Sequence, residues 1–476
     1  KTRCLDLNVL RRFTLVVALT LIATLNLQVR YAEAQAGNVS GIENDQHRPN
    51  ILFIYTDDQA PWAMGLEGHP QLETPNIDRI AEEGAYLPNS FTTTPVCSPS
   101  RASLLTSRYG TELGITEWIS TVREPDHGLP TSTITWAERL QESGYETGLI
   151  GKWHLGVIDR YHPTKNGYDH FMGFRTGGLV PDDPILEKNG VRQPFEGYIG
   201  DILTDHAIEF IREHDREHRP FMLSMHYRAP HRPWLPMPDE DWEPYQSIDP
   251  DIPHPDYPDL DVDSVKTMMR QYLASTASVD RNVGRLLDLL DELGLKENTV
   301  VIFTSDHGYT MGHNGIWHKG NGFWVLNTPP DGSGNVPTGN RPNMYDAALK
   351  IPTAVRWPGA VEPGTVVKET ISNLDWYPTL LEMANLEPRG DKIIRGRSIV
   401  SLLQGKSVQN WNNDFYAEYS THHRTHTHMR AYRTTEWKLV WDLLNPERNE
   451  LYHLTNDPME TTNLIDSSST EIRQVI

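Results

Sequence analysis

Cysteine is almost absent from this chain, which has only Cys4 and Cys97 among its 476 residues. Cys4 lies in an N-terminal segment that we expect to be cleaved, so the mature chain would keep one cysteine and could form no intramolecular disulfide. A disulfide framework is therefore excluded as the basis of the fold. A single cysteine in an exported protein needs a chemical explanation, unless Cys97 is simply a small apolar residue of the core.

Positive charge is also scarce in this sequence. Lysine and arginine number 43 against 64 aspartates and glutamates, which gives a net charge of −21. Proteins that bind nucleic acids usually carry a basic face, so we expect no nucleic-acid partner. An acidic surface also repels anionic substrates, and a protein of this composition that handles them must gather its positive charge at one site.

Long apolar runs are lacking too, with one exception near the start of the chain. Arg11 and Arg12 precede the apolar run Phe13–Leu27, and two Ala-x-Ala patterns follow over residues 32–36. These features are typical of a signal peptide, here residues 1–36. A membrane anchor is the less favoured alternative, because threonines interrupt the run and it is short for a span of about 20 residues. We expect an exported protein, periplasmic or secreted, with no stable membrane span after cleavage.

The rest of the chain has an ordinary globular composition, with 38% hydrophobic and 22% charged residues. Apolar runs rich in β-branched residues alternate with helical patterns, which predicts an α/β fold with a mostly parallel sheet flanked by helices. A helix is predicted at Tyr272–Leu290, where apolar residues recur at helical spacing, and Gly294 can end it. The runs that we interpret as strands are Ile51–Tyr55, Thr147–Ile150, Phe221–Tyr227, Thr299–Thr304 and Ile351–Arg356.

The composition changes near residue 395. Short alternating strands at Met429–Thr434, Trp437–Trp441 and Glu450–His453 predict a smaller antiparallel sheet in the C-terminal part of the chain. We therefore divide the chain into consecutive parts, namely a signal peptide at 1–36, a linker at 37–48, a catalytic domain at 49–394 and a C-terminal subdomain at 395–476.

Acidic residues follow two of the predicted strands. Ile51–Tyr55 leads into Asp57 and Asp58, and Thr299–Thr304 leads into Asp306. Ligands of open α/β sheets bind beyond the carboxyl ends of the strands. Three carboxylates that converge there would repel one another unless a cation lies between them, and oxygen ligands suit Ca²⁺ or Mg²⁺ better than zinc. The alternative is that these acids cap the helices that follow.

The most specific motif is Cys97-Ser98-Pro99-Ser100-Arg101. A cysteine at a helix start, with proline in the first turn, lies where backbone N–H groups and the helix dipole favour anions. This C-x-P-x-R pattern resembles the modification signature of the sulfatase family. In that family the cysteine is oxidised to formylglycine, whose hydrated aldehyde is the nucleophile.

The resemblance covers about residues 49–464, because further motifs occur in the order that the family shows. They are Pro49-Asn50-Ile51 to Asp58, Gly151-Lys152-Trp153-His154-Leu155-Gly156, Ala229-Pro230-His231, Ser305–Gly308, Lys319-Gly320, and Glu450-Leu451-Tyr452 followed by Asn456-Asp457-Pro458. The resemblance implies an alkaline-phosphatase-like fold, a bound Ca²⁺, and maturation of Cys97 by a formylglycine-generating enzyme.

The resemblance also implies roles for individual residues. The implied metal ligands are Asp57, Asp58, Asp306 and His307, together with an oxygen of the modified Cys97. Many members of the family carry asparagine where this chain has His307. The other implied roles are Arg101 holding the formylglycine, Lys152 binding the metal-facing oxygens and sulfate, His154 positioning the nucleophile and acting as base, and His231 and Lys319 binding sulfate and protonating the leaving oxygen.

These residue types suit the chemistry. A sulfate ester is a stable monoanion, so its cleavage needs concentrated positive charge around the sulfuryl oxygens. We expect a sulfatase that acts on an extracellular or periplasmic sulfated substrate, with a sulfated carbohydrate as the favoured class. The nearest alternatives are an arylsulfatase or a phosphonate or phosphate ester hydrolase on the same fold. A catalytically inactive carbohydrate-binding protein is a different class, and the complete set of catalytic residue types speaks against it.

Two further features remain open. The histidines at 422, 423, 426 and 428 fit no structural zinc spacing, so we interpret this stretch as a polar loop rather than a metal site. The long loop after Lys319 contains Trp324 and Arg341, which could overhang the sulfate site and select a sugar and a second anionic group. The alternative is that this loop packs on the C-terminal sheet.

Overall fold

A computed structural model describes residues 48–217, 219–389 and 393–473. The predicted signal peptide and almost all of the predicted linker lie outside the described residues. Within them, no helix is both long enough and apolar enough to cross a membrane. The chain from Pro49 onward forms one compact unit.

The described residues form strands and α-helices in alternation. The strands are β1 Asn50–Thr56, β2 Ala85–Tyr86, β3 Ser90–Phe91, β4 Glu146–Lys152, β5 His170–Phe174, β6 Ile185–Lys188, β7 Val191–Pro194, β8 Phe221–His226, β9 Thr299–Ser305, β10 Thr310–Met311, β11 Ile316–His318, β12 Phe323–Trp324, β13 Thr353–Arg356, β14 Thr365–Val366, β15 Ile371–Ser372, β16 Phe415–Thr421, β17 Thr427–Arg433, β18 Trp437–Asp442 and β19 Glu450–His453. The α-helices are α1 Pro75–Glu82, α2 Cys97–Thr106, α3 Gly110–Leu113, α4 Trp136–Glu142, α5 Ile199–Glu217, α6 Asp239–Trp242, α7 Val262–Glu292, α8 Asp346–Leu349, α9 Trp376–Met383, α10 Val400–Leu403 and α11 Thr470–Arg473. Short 3₁₀ turns occur at Gly65–Glu67, Asp159–Tyr161, Pro163–Lys165, Lys296–Asn298, His313–Gly315, Asn373–Asp375 and Pro446–Arg448.

The main sheet has ten strands in the order β14-β2-β13-β9-β1-β8-β4-β5-β6-β7. Its five central strands, β9, β1, β8, β4 and β5, are all parallel. The strand predicted at Ile351–Arg356 exists as β13, but it runs antiparallel to β9. The predicted mostly parallel sheet is therefore confirmed, with antiparallel strands added outside its parallel centre.

Apolar side chains cover both faces of the sheet. In β1, Phe53 and Tyr55 belong to the core on one face, whereas Leu52 and Ile54 belong to the core on the other. A strand buried on both faces cannot alternate between polar and apolar residues, which explains its continuous apolar run. The predicted helix is longer than its apolar repeat, since α7 spans Val262–Glu292, and Gly294 follows it with a left-handed φ of 68°.

The C-terminal part of the chain forms the expected antiparallel sheet, with four strands in the order β16-β17-β18-β19. Three of them match predicted strands, whereas β16 Phe415–Thr421 was not predicted. This sheet packs through Phe415, Tyr419 and Met429 on a core that also contains Phe91 and Val96, next to the start of α2. The small sheet therefore lies beside the segment that carries Cys97.

Candidate active site

The predicted acids meet at the carboxyl edge of the main sheet. Strands β1 and β9 pair in parallel, with Thr56 opposite Ser305, so the residues that follow both strands emerge side by side. The backbone N–H of Asp58 donates to Oδ1 of Asp306 at 3.1 Å, and Asp58 has a positive φ of 71°. This turn brings Asp57, Asp58 and Asp306 together, and all three are fully buried.

Cys97 is the first residue of α2 and faces these acids. Val96 before it is extended, so the chain enters the helix directly at the cysteine. The Sγ atom of Cys97 lies 3.5 Å from Oδ1 of Asp57, 3.5 Å from Nε2 of His307 and 2.9 Å from Nζ of Lys319. Cys97 is 3% exposed, and its sulfur stands where an oxygen of a modified side chain would stand.

Three buried cations balance the acids. Nζ of Lys152 lies 2.5 Å from Oδ2 of Asp57, and Nζ of Lys319 lies 2.5 Å from Oδ1 of Asp58. Arg101 donates to Oδ2 of Asp306 through Nε at 3.1 Å and Nη2 at 2.9 Å. Thus each carboxylate contacts at least one buried cation, and Asp57 also lies 3.8 Å from Nη2 of Arg101. This is the concentration of positive charge that the sequence requires of an acidic protein.

The guanidinium of Arg101 has little freedom in this arrangement. Besides Asp306, it donates to the carbonyl oxygen of Lys152 at 3.3 Å, and it lies 5.1 Å from the ring centroid of Tyr55. These contacts therefore fix Asp306 and the end of β4. Holding the modified Cys97, as the resemblance implies, remains a prediction.

His154 and His231 both line the Cys97 cavity. Nε2 of His154 lies 3.1 Å from the carbonyl oxygen of Ile119, so Nε2 carries the proton, and the buried Nδ1 has no partner within the described residues. Nδ1 of His231 lies 2.6 Å from the carbonyl oxygen of Arg232, and its Nε2 lies 4.0 Å from Oδ2 of Asp58. Burial lowers the pKa of His154 well below its ordinary value, and the charge of Lys152 lowers it further.

The acid cluster fits a bound cation. Nδ1 of His307 lies 2.9 Å from the carbonyl oxygen of Gly308, which places the proton on Nδ1 and directs the Nε2 lone pair inward. That lone pair lies 3.2 Å from Oδ1 of Asp58 and 3.3 Å from Oδ1 of Asp306, a repulsive arrangement unless a cation lies between them. Among the described residues, Oδ2 of Asp58 is also buried without a hydrogen-bond partner. Ligand atoms of Asp57, Cys97, Asp306 and His307 all lie within 4.8 Å of one another.

The electrostatics of the three acids differ. Burial alone raises the pKa of Asp57, but Lys152 and the neighbouring cations outweigh it and hold that pKa well below its ordinary value. Lys319 has the same effect on the pKa of Asp58. The pKa of Asp306 is raised to about 7 by its burial and by the charge of Asp57, despite the contact with Arg101. Three cations therefore face three carboxylates, and Asp306 is the one acid of the three whose pKa is raised.

Several residues of the site escaped the sequence reasoning. Buried His226 ends β8, and its Nδ1 lies 3.0 Å from the carbonyl oxygen of Lys152, which holds the end of β4. His318 lines the Cys97 cavity, and Gly177 lies so close to His154 that an added Cβ would meet the ring at 2.6 Å. His318 stands beside Lys319, which could have drawn attention to it, but no sequence signal marked His226 or Gly177.

The cavity above Cys97 has a volume of about 590 Å³. Its wall includes all four side chains that would face a substrate, namely Cys97, His154, His231 and Lys319. By contrast, Arg101, Lys152 and the acids lie beneath it and are not part of the wall. The site therefore consists of a buried layer of charged side chains and an accessible layer of cavity-lining side chains around Cys97.

The sequence left two features open, namely the loop that contains Trp324 and Arg341 and the histidines between residues 422 and 428. Arg341 is partly buried, forms an ion pair with Glu450 and donates to the hydroxyl of Tyr345 at 3.0 Å, so this part of the loop packs on the C-terminal sheet. Trp324 lines a separate cavity with Arg341. His422 and His423 lie beside Glu117 and Glu124, whereas His426 and His428 are not part of that group.

Comparisons with known proteins agree with this geometry. A family model described as sulfatase matches residues 49–386, and one described as N-sulphoglucosamine sulphohydrolase, C-terminal, matches residues 340–475. An N-acetylglucosamine-6-O-sulfatase of Bacteroides thetaiotaomicron is 28% identical over 503 residues, which cover 89% of this chain and 83% of the relative.

Two further proteins extend the comparison. An N-acetylgalactosamine-6-sulfatase of Mus musculus is 29% identical over 392 residues, covering 76% of this chain and 67% of the relative. A solved structure in complex with its substrate D-glucosamine-2-N,6-O-disulfate superposes with a TM-score of 0.76 at 25% identity, and covers 90% of this chain and 95% of that chain.

Proposed function

Because this chain belongs to the sulfatase family, and is therefore a sulfuric ester hydrolase, we propose that it removes sulfate from a sulfated carbohydrate outside the cytoplasm, using a formylglycine made from Cys97 and a bound Ca²⁺. The observation that carries the proposal is the position of Cys97. It begins a helix, forms the floor of a cavity, and has a lysine ammonium 2.9 Å from its sulfur. An apolar core cysteine has no need of these surroundings.

Formylglycine and Ca²⁺ would supply the nucleophile and the Lewis acid that the ordinary side chains of the site lack. When bound, these two groups would supply a nucleophilic hydroxyl, from formylglycine hydrate, and a divalent cation that increases the acidity of that hydroxyl. Asp57, Asp306 and His307 have ligand atoms within 4.8 Å of one another, and Nε2 of His307 also lies 3.2 Å from Oδ1 of Asp58. These four residues would hold the ion. Three carboxylates are hard ligands that suit Ca²⁺, and one imidazole among them is tolerated.

The protein's own side chains bind the ester and move protons. Lys319 and His231 line the cavity on the side of Asp58 and would bind the sulfuryl oxygens, with Lys319 as a fixed positive charge. Burial lowers the pKa of Lys319, but Asp58 and the other nearby acids together outweigh it and raise that pKa well above its ordinary value, so Lys319 stays charged. His154 is neutral and has a free Nδ1, so it can accept a proton at that atom.

The proposal that the substrate is a sulfated carbohydrate is based on the substrates named for the similar proteins. Those compared above include sulfatases of N-acetylglucosamine and N-acetylgalactosamine, and one neighbour is complexed with a disulfated glucosamine. A cavity of about 590 Å³ is large enough for a sugar ring. Export, predicted from the N-terminal segment, would bring the enzyme to extracellular polysaccharides.

An arylsulfatase or a phosphonate or phosphate ester hydrolase is the second candidate. Both use a metal and a nucleophile at the position of Cys97, so the charge arrangement suits a phosphoryl group as well. The discriminating property is charge, because a phosphate monoester is a dianion near neutral pH, whereas a sulfate ester is a monoanion. No feature of the cavity favours the dianion at present, so sulfate remains the first choice.

The test combines one chemical and one kinetic measurement. The enzyme is produced with a formylglycine-generating enzyme, and the peptide around Cys97 is examined by mass spectrometry for the aldehyde. The same preparation is then assayed on sulfated monosaccharides and disaccharides, on an aryl sulfate, and on the matching phosphate and phosphonate esters. Full activity with unmodified Cys97, or faster cleavage of the phosphorus esters, would overturn the proposal.

A further inference from the structure

A second, smaller cavity adjoins the one above Cys97. Its volume is about 190 Å³, and it shares Trp118, His318 and Asn321 with the Cys97 cavity. Because the two cavities have walls in common, a ligand that occupies the first can extend into the second. The second cavity is also lined by Phe323 and by two arginines, Arg232 and Arg424.

These two arginines differ from most others in the described part of the chain. Arg232 and Arg424 are exposed, and within residues 48–217, 219–389 and 393–473 neither forms an ion pair or a side-chain hydrogen bond. Each contacts an aromatic ring instead, with Arg232 5.0 Å from the ring centroid of Trp317 and Arg424 5.9 Å from that of Phe323. Elsewhere on the described surface, arginines such as Arg395 and Arg389 are paired with glutamates.

The cavity keeps a net positive charge. Its one acidic lining residue is Glu117, whose Oε2 accepts the backbone N–H groups of His422 at 2.6 Å and His423 at 2.9 Å. Burial lowers the pKa of His318 to about 3, so that ring is neutral. The balance is therefore two unpaired guanidinium groups against one carboxylate that is already hydrogen-bonded.

The turn that carries Arg424 is held in place. It joins β16 to β17, and Glu117 binds its backbone as described above. Nε2 of His423 lies 2.9 Å from the carbonyl oxygen of Trp118, and Arg123 donates to the carbonyl oxygen of His423 at 2.9 Å. On the other side, the N–H of His426 donates to Asn335 at 2.8 Å. A guanidinium on such a fixed turn loses less entropy when it binds an anion.

We propose that this cavity is a second anion subsite, in which Arg232 and Arg424 bind another anionic group of the same substrate while its sulfate ester occupies the cavity above Cys97. The assignment rests on the proposed function and narrows it to saccharides that carry at least two anionic groups. A guanidinium binds sulfate or carboxylate through paired N–H donors, and the second group can be either of these. Trp118 and Phe323 provide apolar rings against which a sugar can pack.

The experiment measures selectivity in matched variants. We compare wild-type enzyme with the variants Arg232→Gln and Arg424→Gln on three saccharides that share one scissile sulfate. The first saccharide has no other charge, the second carries a second sulfate, and the third carries a carboxylate. Arg192→Gln is the control, because Arg192 is also exposed on β7 but lines neither cavity.

We expect wild-type enzyme to prefer a dianionic saccharide. Each cavity variant should lower kcat/KM for it by about tenfold more than for the monosulfated one, the usual worth of one charged contact. Whichever dianionic saccharide shows this loss identifies the second group as sulfate or carboxylate. Equal losses on all three saccharides, or no preference in wild-type enzyme, would overturn the subsite.

A binding measurement separates this proposal from the proposed function. Cys97→Ser enzyme is titrated calorimetrically with the same saccharides, with and without the arginine substitutions. About tenfold weaker binding of the dianionic saccharide in the arginine variants supports the subsite even if no saccharide is hydrolysed, in which case the proposed function alone fails. Unchanged binding in those variants contradicts the subsite even if hydrolysis is observed.

Discussion

Nζ of Lys319 lies 2.9 Å from Sγ of Cys97. The lysine comes from the loop after β11 and the cysteine from the start of α2, so the contact joins segments 222 residues apart. Lys319 is 3% exposed and also contacts Asp58. A buried ammonium at this distance places positive charge where a sulfuryl group would meet the nucleophile, and this explains why an acidic protein can attract a sulfate ester.

Replacing Lys319 with methionine tests that role. Methionine keeps much of the length and removes the charge, so we expect Lys319→Met to lower kcat by about 10²- to 10³-fold, as for loss of other charge-stabilising donors. The measurement is steady-state kinetics on a small aryl sulfate. Lys296→Met is the control, because Lys296 forms a partly exposed ion pair with Glu83. A kcat within about threefold of wild type would refute the role.

Calcium should stabilise the folded protein. Ca²⁺ that binds only the native state raises the free energy of unfolding by about 2.7 kcal/mol at 100 times its Kd. We expect chelated protein to melt at a lower temperature, Ca²⁺ to restore the melting point better than Zn²⁺, and Asp306→Asn to abolish the response. Asp251→Asn, at an exposed acid, is the control. A melting temperature independent of Ca²⁺ in metal-free protein would contradict the site.

The same thermal unfolding assay tests whether His307 is a ligand of the bound Ca²⁺. His307→Asn exchanges imidazole for an amide oxygen, a harder ligand that Ca²⁺ accepts, so the thermal response to Ca²⁺ should persist. His307→Ala removes the ligand and should require a higher Ca²⁺ concentration for half of the shift. Identical titration curves for both variants and wild type would remove His307 from the metal ligands.

Arg341 should support the fold rather than select the substrate. Its side chain is 14% exposed and pairs with buried Glu450. Breaking a buried ion pair typically costs about 3–5 kcal/mol, because one charge is left without a partner. We expect Arg341→Ala to lower the free energy of unfolding in urea and to change kcat/KM equally for an aryl sulfate and a sulfated oligosaccharide. A selective loss on the oligosaccharide would instead place Arg341 at the substrate.

Asp280 should make stability depend on pH. Its carboxylate on α7 accepts N–H groups of Asn76 at 2.9 Å and Ile77 at 2.8 Å at the start of α1, yet burial raises its pKa to about 6. The folded state then holds this proton more tightly than the unfolded state does. Asp280 therefore stabilises the fold at low pH, and this contribution is lost as pH rises from about 4 through about 6.

Urea unfolding from pH 4.5 to 7 tests whether the stabilising contribution of Asp280 falls as pH rises. The free energy of unfolding of wild type relative to Asp280→Asn should fall across that range, by at most about 3 kcal/mol. Asp263→Asn is the control, because Asp263 is exposed in the first turn of α7. A difference between wild type and Asp280→Asn that is constant or rises with pH would contradict the pKa of Asp280.

The local sequence was sufficient to predict the elements that carry the chemistry. The apolar run before Asp57 and Asp58 is β1, and the run before Asp306 is β9, because strands buried on both faces need uninterrupted apolar residues. Since parallel neighbours end at the same edge, the convergence of the acids followed from the fold class. The start of α2 at Cys97 followed from Pro99 in its first turn.

Only the tertiary structure decided which charged side chains form ion pairs and which do not. Arg341 looked available in the sequence but is paired with Glu450 on the C-terminal sheet, whereas Arg232 and Arg424 looked ordinary and have no such partner among the described residues. Likewise, His226 acquires its contact with Lys152 through the pairing of β8 with β4. Charge pairing joins segments that are hundreds of residues apart, and local sequence patterns report only on neighbours along the chain.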